Sequence, residues 1–104
     1  MISKNLQKQV YNAVKTVPKG MVTTYGEISQ AIGLKSSRLI GKILSLNTDF
    51  KSIPCYKVVK SNGHVSGYNQ GINKKIRLLK ADGITVKNFK IVNFKEKLFK
   101  FSGK

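Results

Sequence analysis

Uncompensated positive charge constrains this chain's fold more than any other feature. Twenty Lys and Arg residues face four Asp and Glu, a formal net charge of +16, and eighteen of the twenty are lysine. Such a surface repels itself and needs a polyanionic partner or high intracellular salt to offset it. No covalent staple helps. The single cysteine, Cys55, cannot close an internal disulfide and alone cannot build a structural zinc site. The 104 residues, 40% of them hydrophobic, must therefore rely on one modest core, enough for one small domain and too few for two. No run approaches the roughly 20 apolar residues of a membrane span. The first six residues, Met1-Ile2-Ser3-Lys4-Asn5-Leu6, lack the apolar stretch of a secretory signal. A lone cysteine without a targeting segment gives the expectation of a cytoplasmic protein with no membrane partner. The lysines run along the whole chain, so charge predicts a polyanion without placing it. A lysine-rich proteome produces the same balance.

Local patterns divide the chain into short elements. Leu6, Val10, Ala13, Val14 and Val17 fall at helical spacing and predict an amphipathic helix over 4–17, stopped by Pro18-Lys19-Gly20. Val22-Thr23-Thr24 reads as a short extended piece. Thr24 and Glu27 fit a capping box at the start of a helix from Tyr25 to Ile32, with Gly33 as its stop. Ser36 or Ser37 caps a further helix over about 37–46. Its apolar face is Leu39, Ile40, Ile43 and Leu44, and its other face is Arg38, Gly41, Lys42 and Ser45. Two short capped helices joined by Gly33-Leu34-Lys35 make a helix-turn-helix candidate. Small residues in the polar stripe let a helix backbone come close to DNA, although an ordinary solvent-facing stripe reads the same way. Lys57-Val58-Val59-Lys60 predicts a strand. Asn62-Gly63 is a strong hairpin signal, with His64-Val65-Ser66 returning and His64 pairing near Ser61 or Lys60, away from Cys55. A helix over 72–81 places Ile72, Ile76 and Leu79 on one face and ends at Gly83. The lysine-rich tail, 86–104, alternates at first and then shifts to wider spacing, leaving strand or helix open. The expected fold is mainly α with a small β-hairpin, as one domain whose core spans about 4–85.

Cys55 sits in Ile53-Pro54-Cys55-Tyr56-Lys57-Val58-Val59. That segment resembles the Pro-Cys-His-Arg-Val active-site signature of the O6-alkylguanine-DNA alkyltransferases, with Tyr56 in place of histidine. Other stretches extend the likeness in order: Gln7 to Tyr11, Pro18 to Ile28, Arg38 and Asn47 at seventeen and eight residues before Cys55, Gly67-Tyr68-Asn69-Gln70-Gly71, then Lys75, Leu78-Leu79 and Asp82-Gly83. The resemblance runs from about residue 5 to 85 and implies a stand-alone catalytic C-terminal domain with a winged-helix-like fold.

The resemblance implies a reaction and a division of roles. The alkyl group of O6-alkylguanine would pass in one irreversible step to the Cys55 sulfur, each molecule acting once, with no cofactor and no metal. A thiolate is the competent nucleophile, and a free cysteine has a pKa of about 8.5, so an activating environment is required. Tyr56 and Asp82 occupy the places of the family's histidine and glutamate relay. A phenol is a poor base near neutral pH, so Tyr56 would be a polar relay or be bypassed. Asn47 would brace the chain around Cys55. Arg38 would fill the place of the flipped nucleotide, and Tyr25 would rotate it and donate to guanine N3. The carbonyls of Cys55 and Val58 would take the guanine amino group, and the Tyr68 and Asn69 amides would contact O6. Gly41, Lys42 and Ser45 would let the helix enter the minor groove of double-stranded DNA, with the protein a monomer. Taken singly, these residues have ordinary readings: a helix-start aromatic, a surface cation, a buried thiol.

Two rivals belong to other classes. An alkyltransferase-like protein binds the lesion without transfer and recruits excision repair; such proteins usually replace the cysteine. A plain DNA-packing domain would account for the charge and the helix pair alone.

Overall fold

The computed structural model describes residues 3–49, 52–65 and 71–101. Helix α1 spans Lys4–Lys15, capped by the Ser3 hydroxyl, which accepts from the Leu6 amide, and it buries Val10 and Val14. Strand β1, Thr23–Thr24, runs directly into α2, Tyr25–Ala31. Thr24 closes the expected cap by accepting from the Glu27 amide at 3.0 Å. Gly33 ends the helix with a positive φ of 79° that a side chain would strain. Helix α3, Ser37–Ser45, is capped by Ser36 and buries Ile40, Ile43 and Leu44 against α1 and α2. The two helices therefore form the expected helix-turn-helix.

A 3-10 turn, Cys55–Lys57, leads into β2, Val58–Val59. The sequence predicts that this strand pairs across the Asn62-Gly63 turn. It pairs instead in parallel with β1, in the register Thr23↔Val58 and Thr24↔Val59. The turn itself forms. Gly63 N–H donates to the Lys60 carbonyl at 2.8 Å, Lys60 N–H donates to His64 at 2.9 Å, and Gly63 has φ 87°. This is the three-residue loop that ends on a left-handed glycine. Among the described residues only one rung follows it, and the Val58 carbonyl accepts from the Lys75 side chain. His64 bridges Lys90 instead.

Helix α4, Ile72–Ala81, matches its expected bounds. Residues 86–101, left open by their mixed periodicity, form a hairpin of β3, Val86–Lys87, and β4, Lys90–Ile91, and then a short helix α5, Phe94–Lys97. Beyond α5, Leu98 bridges Val22, and the Phe99 amide donates to the Val22 carbonyl at 2.7 Å. Among the described residues the antiparallel hairpin is thus at 86–91, while Ser66 of the expected return strand lies outside them.

Strand periodicity divides the interior. Val58 belongs to one buried cluster with Val10, Val14, Ile28, Ile40, Ile43, Leu44, Ile53 and Cys55. Val59 belongs to a second with Val22, Val65, Leu79, Ile84 and Ile91. Successive side chains of a strand point to opposite faces, so β2 lies between two cores and must be apolar on both. Each fully buried valine or isoleucine contributes on the order of 1.5–3 kcal/mol. Among the described residues no helix is long and apolar enough to cross a membrane.

Candidate active site

The 3-10 turn ahead of β2 sends Cys55 and Tyr56 to different cores. Cys55, 5% exposed, sits in the first cluster, and the Tyr56 ring packs against the second. Asn47 approaches the sulfur from the end of α3. Its Nδ2 donates to the Ile53 carbonyl at 3.1 Å and to Cys55 Sγ at 3.4 Å, while its Oδ1 accepts from the Asp49 amide at 2.9 Å. Asn47 is itself buried, so both ends of its amide fix the path of the chain from α3 to the cysteine.

Two further side chains, Lys75 and Tyr11, lie within electrostatic reach of Cys55. The Lys75 side chain, 1% exposed, donates from Nζ to the Val58 carbonyl at 2.7 Å. Burial lowers its pKa from 10.5 to about 8, and negative charge on Cys55 acts in the opposite direction. Tyr11 donates its hydroxyl to the Ile43 carbonyl at 2.9 Å, and its pKa is raised by burial first and by charge on Cys55 second. A signal for Lys75 is present in the sequence: it lies beside Ile72, Ile76 and Leu79 on the apolar stripe of α4, where a solvated lysine does not belong.

The Asp82 carboxylate is engaged by Lys57 and Gly20. Its Oδ2 pairs with Lys57 Nζ at 2.9 Å and accepts from the Gly20 amide at 2.9 Å. Lys57 completes the cluster by donating to the Pro18 carbonyl at 2.7 Å. The pKa of Tyr56 is raised by burial first and by the Asp82 charge second. Among the described residues the Tyr56 hydroxyl makes no hydrogen bond. A base with a raised pKa, facing the other core, is poorly placed to deprotonate Cys55.

The helix pair carries the rest. Tyr25, Arg38 and Gly41 line a groove of about 630 Å³ together with Gly26, Ser37 and the Lys60–Asn62 turn. Gly41 lies against the Tyr25 ring, where an added Cβ would come to 3.8 Å. Lys42 and Ser45 are exposed on α3, and the Ser45 hydroxyl donates to the Lys42 carbonyl at 2.6 Å. Cys55 and Val58 are not among the groove's lining residues; β2 connects them to Lys60 at its wall. The Val58 carbonyl already accepts from Lys75 and keeps one lone pair for another donor. Tyr68 and Asn69 lie outside the described residues. Among the described residues no group of three His, Cys, Asp or Glu could hold a metal ion.

Comparison with known proteins places this arrangement. Residues 5–84 match the family model of the 6-O-methylguanine DNA methyltransferase, DNA binding domain. The chain is 46% identical over 92 residues to a bifunctional methyltransferase/endonuclease of Picrophilus torridus, covering 88% of this chain and 31% of that protein. It is 42% identical over 78 residues to a methylated-DNA–protein-cysteine methyltransferase of Methanosarcina acetivorans, covering 74% and 50%. It therefore spans between about a third and a half of the length of these relatives. Among solved structures, S. pombe Atl1 in complex with damaged DNA containing O6-carboxymethylguanine superposes with a TM-score of 0.81 at 26% identity, covering 96% of this chain and 99% of Atl1. Mycobacterium tuberculosis OGT in complex with DNA gives 0.73 at 33% identity, covering 78% and 51%. The expectation of a catalytic C-terminal domain alone is narrowed by the family match, whose description names DNA binding. The chain belongs to the 6-O-methylguanine DNA methyltransferase family through that DNA-binding domain.

Proposed function

We propose that this protein repairs O6-alkylguanine in double-stranded DNA by moving the alkyl group to Cys55. The Cys55 thiolate attacks the alkyl carbon, a new C–S bond forms, and the C–O6 bond breaks with its electron pair left on guanine. Tyr25 donates its proton toward N3, so that the departing base leaves neutral. No step cleaves the thioether back to the thiol, and each molecule acts once. The observation that carries this reading is the Asn47 amide 3.4 Å from a buried sulfur. The Asn47 amide gives the sulfur a hydrogen-bond partner that does not depend on an imidazole. In this scheme Tyr56 is bypassed, and Asp82 secures Lys57 and Gly20.

Recognition rests on the helix pair. Gly41 and Ser45 allow α3 to approach the minor groove, where readout is largely sequence-degenerate, as scanning requires. Lys42 meets phosphate, and Arg38 stacks into the place of the extruded nucleotide. Val58 and the Tyr68–Asn69 loop would hold the flipped base. The domain engages DNA as a monomer. The test is intact-mass measurement after incubation with an O6-methylguanine duplex. One added methyl on Cys55 is expected, and unmodified protein beside intact lesion at long times and high concentration would falsify transfer.

One observation favours a second reading. Likeness to Atl1 extends over nearly the whole of both chains, beyond the reach of the OGT likeness. Under that reading the protein binds the lesion and recruits excision repair. Lesion-selective binding with no methylated product would select it.

A further inference from the structure

The hairpin over 86–91 begins after residue 84, where the family match ends. Its register, Val86↔Ile91 and Lys87↔Lys90, leaves Asn88 and Phe89 as a two-residue turn, with φ of 52° and 62°. Turns of this hand select glycine at the second position, because a bulky L-residue is strained there. Burial does not offset the strain, since Phe89 is 48% exposed. One face of its ring stacks on His64, with centroids 6.3 Å apart and planes at 24°. The backbone thus holds an aromatic ring outward at the tip, between exposed Lys87 and Lys90. The chain has only four acidic residues, and none lies in 86–91.

The tip is fixed relative to the groove. The Val65 amide donates to the Phe89 carbonyl at 2.8 Å, and the Ile91 amide donates to Gly63 at 2.9 Å. The segment so held turns at Lys60–Gly63, and Lys60, Ser61 and Asn62 form the groove wall opposite Tyr25 and Arg38. Strain at an exposed position points to function, and a ring flanked by cations fits the alternating phosphates and apolar sugar and base edges of a nucleic acid.

We propose that this hairpin is a second contact on duplex DNA, resting on the reading that the chain binds it. Lys87 and Lys90 take backbone phosphates, and Phe89 packs against a sugar and base edge beside the site engaged by α3. The contact lengthens the footprint and fixes orientation.

The test compares Phe89→Gly, Phe89→Asn and the double Lys87→Gln/Lys90→Gln with wild type by fluorescence anisotropy. Undamaged and O6-methylguanine duplexes are titrated over a range of salt. Glycine and asparagine both accept a positive φ, so the melting temperature should not fall. Both Phe89 variants should bind each duplex about five- to tenfold more weakly, as loss of an aromatic contact does. The lysine pair should lower the slope of log affinity against log salt by about two. Phe89 variants binding within twofold of wild type at every salt, or an unchanged slope for the lysine pair, would overturn the proposal. If wild type transfers methyl groups while the hairpin variants bind normally, only the hairpin assignment fails. If wild type binds no duplex, the DNA reading fails with it.

Discussion

Lys57 and Asp82 form a buried ion pair at 2.9 Å, their side chains 5% and 12% exposed, tying the turn after Cys55 to the end of α4. The Gly20 amide and the Pro18 carbonyl complete the cluster. Removing one partner of such a pair leaves the other charge buried. Asp82→Ala should therefore cost about 3 kcal/mol of unfolding free energy in urea titrations. A loss under about 1 kcal/mol would show that Lys57 is sufficiently held by the carbonyls alone.

Tyr56 faces the second core and its hydroxyl is not used among the described residues. Tyr56→Phe should leave the single-turnover methyl-transfer rate within about twofold, a change of under 0.5 kcal/mol in barrier. A drop of a hundredfold would restore the phenol as a relay.

Asn47 joins three groups. Asn47→Ala leaves the Asp49 amide and the Ile53 carbonyl without this partner and should cost about 1–3 kcal/mol in stability. Asn47→Asp is the sharper probe. It keeps an acceptor for Asp49 but sets a carboxylate beside the sulfur. Transfer should slow more for Asp than stability falls, read as rate against urea midpoint.

Lys75 makes stability depend on pH with a definite sign. Its folded pKa, about 8, lies below the ordinary 10.5. Between these values the unfolded chain binds more protons, so this group's penalty is full below pH 8 and fades as pH rises toward 10.5. Wild type should gain about 2 kcal/mol from this group between pH 7 and 10. Lys75→Met should lack that part of the rise in urea unfolding at a series of pH values. Tyr11 and Tyr56, both raised above 10, reverse the trend only at higher pH: the folded state then holds protons that the unfolded chain releases, and stability is lost.

Gly63 is constrained twice, by a φ of 87° and by the Phe94 ring 3.1 Å from where a Cβ would stand. Gly63→Ala should destabilise by about 2 kcal/mol, since overpacking adds to backbone strain. The urea midpoint reads this directly, and an unchanged midpoint would mean that Phe94 moves aside freely.

The elements legible in the sequence were those whose signals are local. Caps at Thr24 and Ser36, the stops at Gly33 and Gly83, and the apolar stripes of α1, α3 and α4 all lie within a few residues of what they determine. Pairing was not legible, because Val58-Val59 carries the same apolar signal whether its partner is His64 across a turn or Thr23 far upstream. The hairpin at 86–91 was missed because its turn is Asn-Phe, without the glycine that marks such turns. Cys55, Asn47, Tyr25 and Arg38 are singled out by the family resemblance and Gly41 by the polar stripe of α3, and the structure brings Asn47 to Cys55 and the other three to one groove. Lys75 and Tyr11 went without a role because their relation to Cys55 exists only once α1 and α4 have packed.

The parallel ladder between β1 and β2 has a consequence for synthesis. Its rungs can close only after both helices of the groove have been made, and the Val22 rung to Leu98 must wait until α4 and the 86–91 hairpin have been made as well. Long-range closure of this kind is a late and slow event in folding. A growing chain therefore carries Cys55 as an ordinary flexible thiol. The surroundings of the sulfur come from α1, the end of α3 and α4, so the arrangement around Cys55 belongs to the folded domain and not to the segment that carries it.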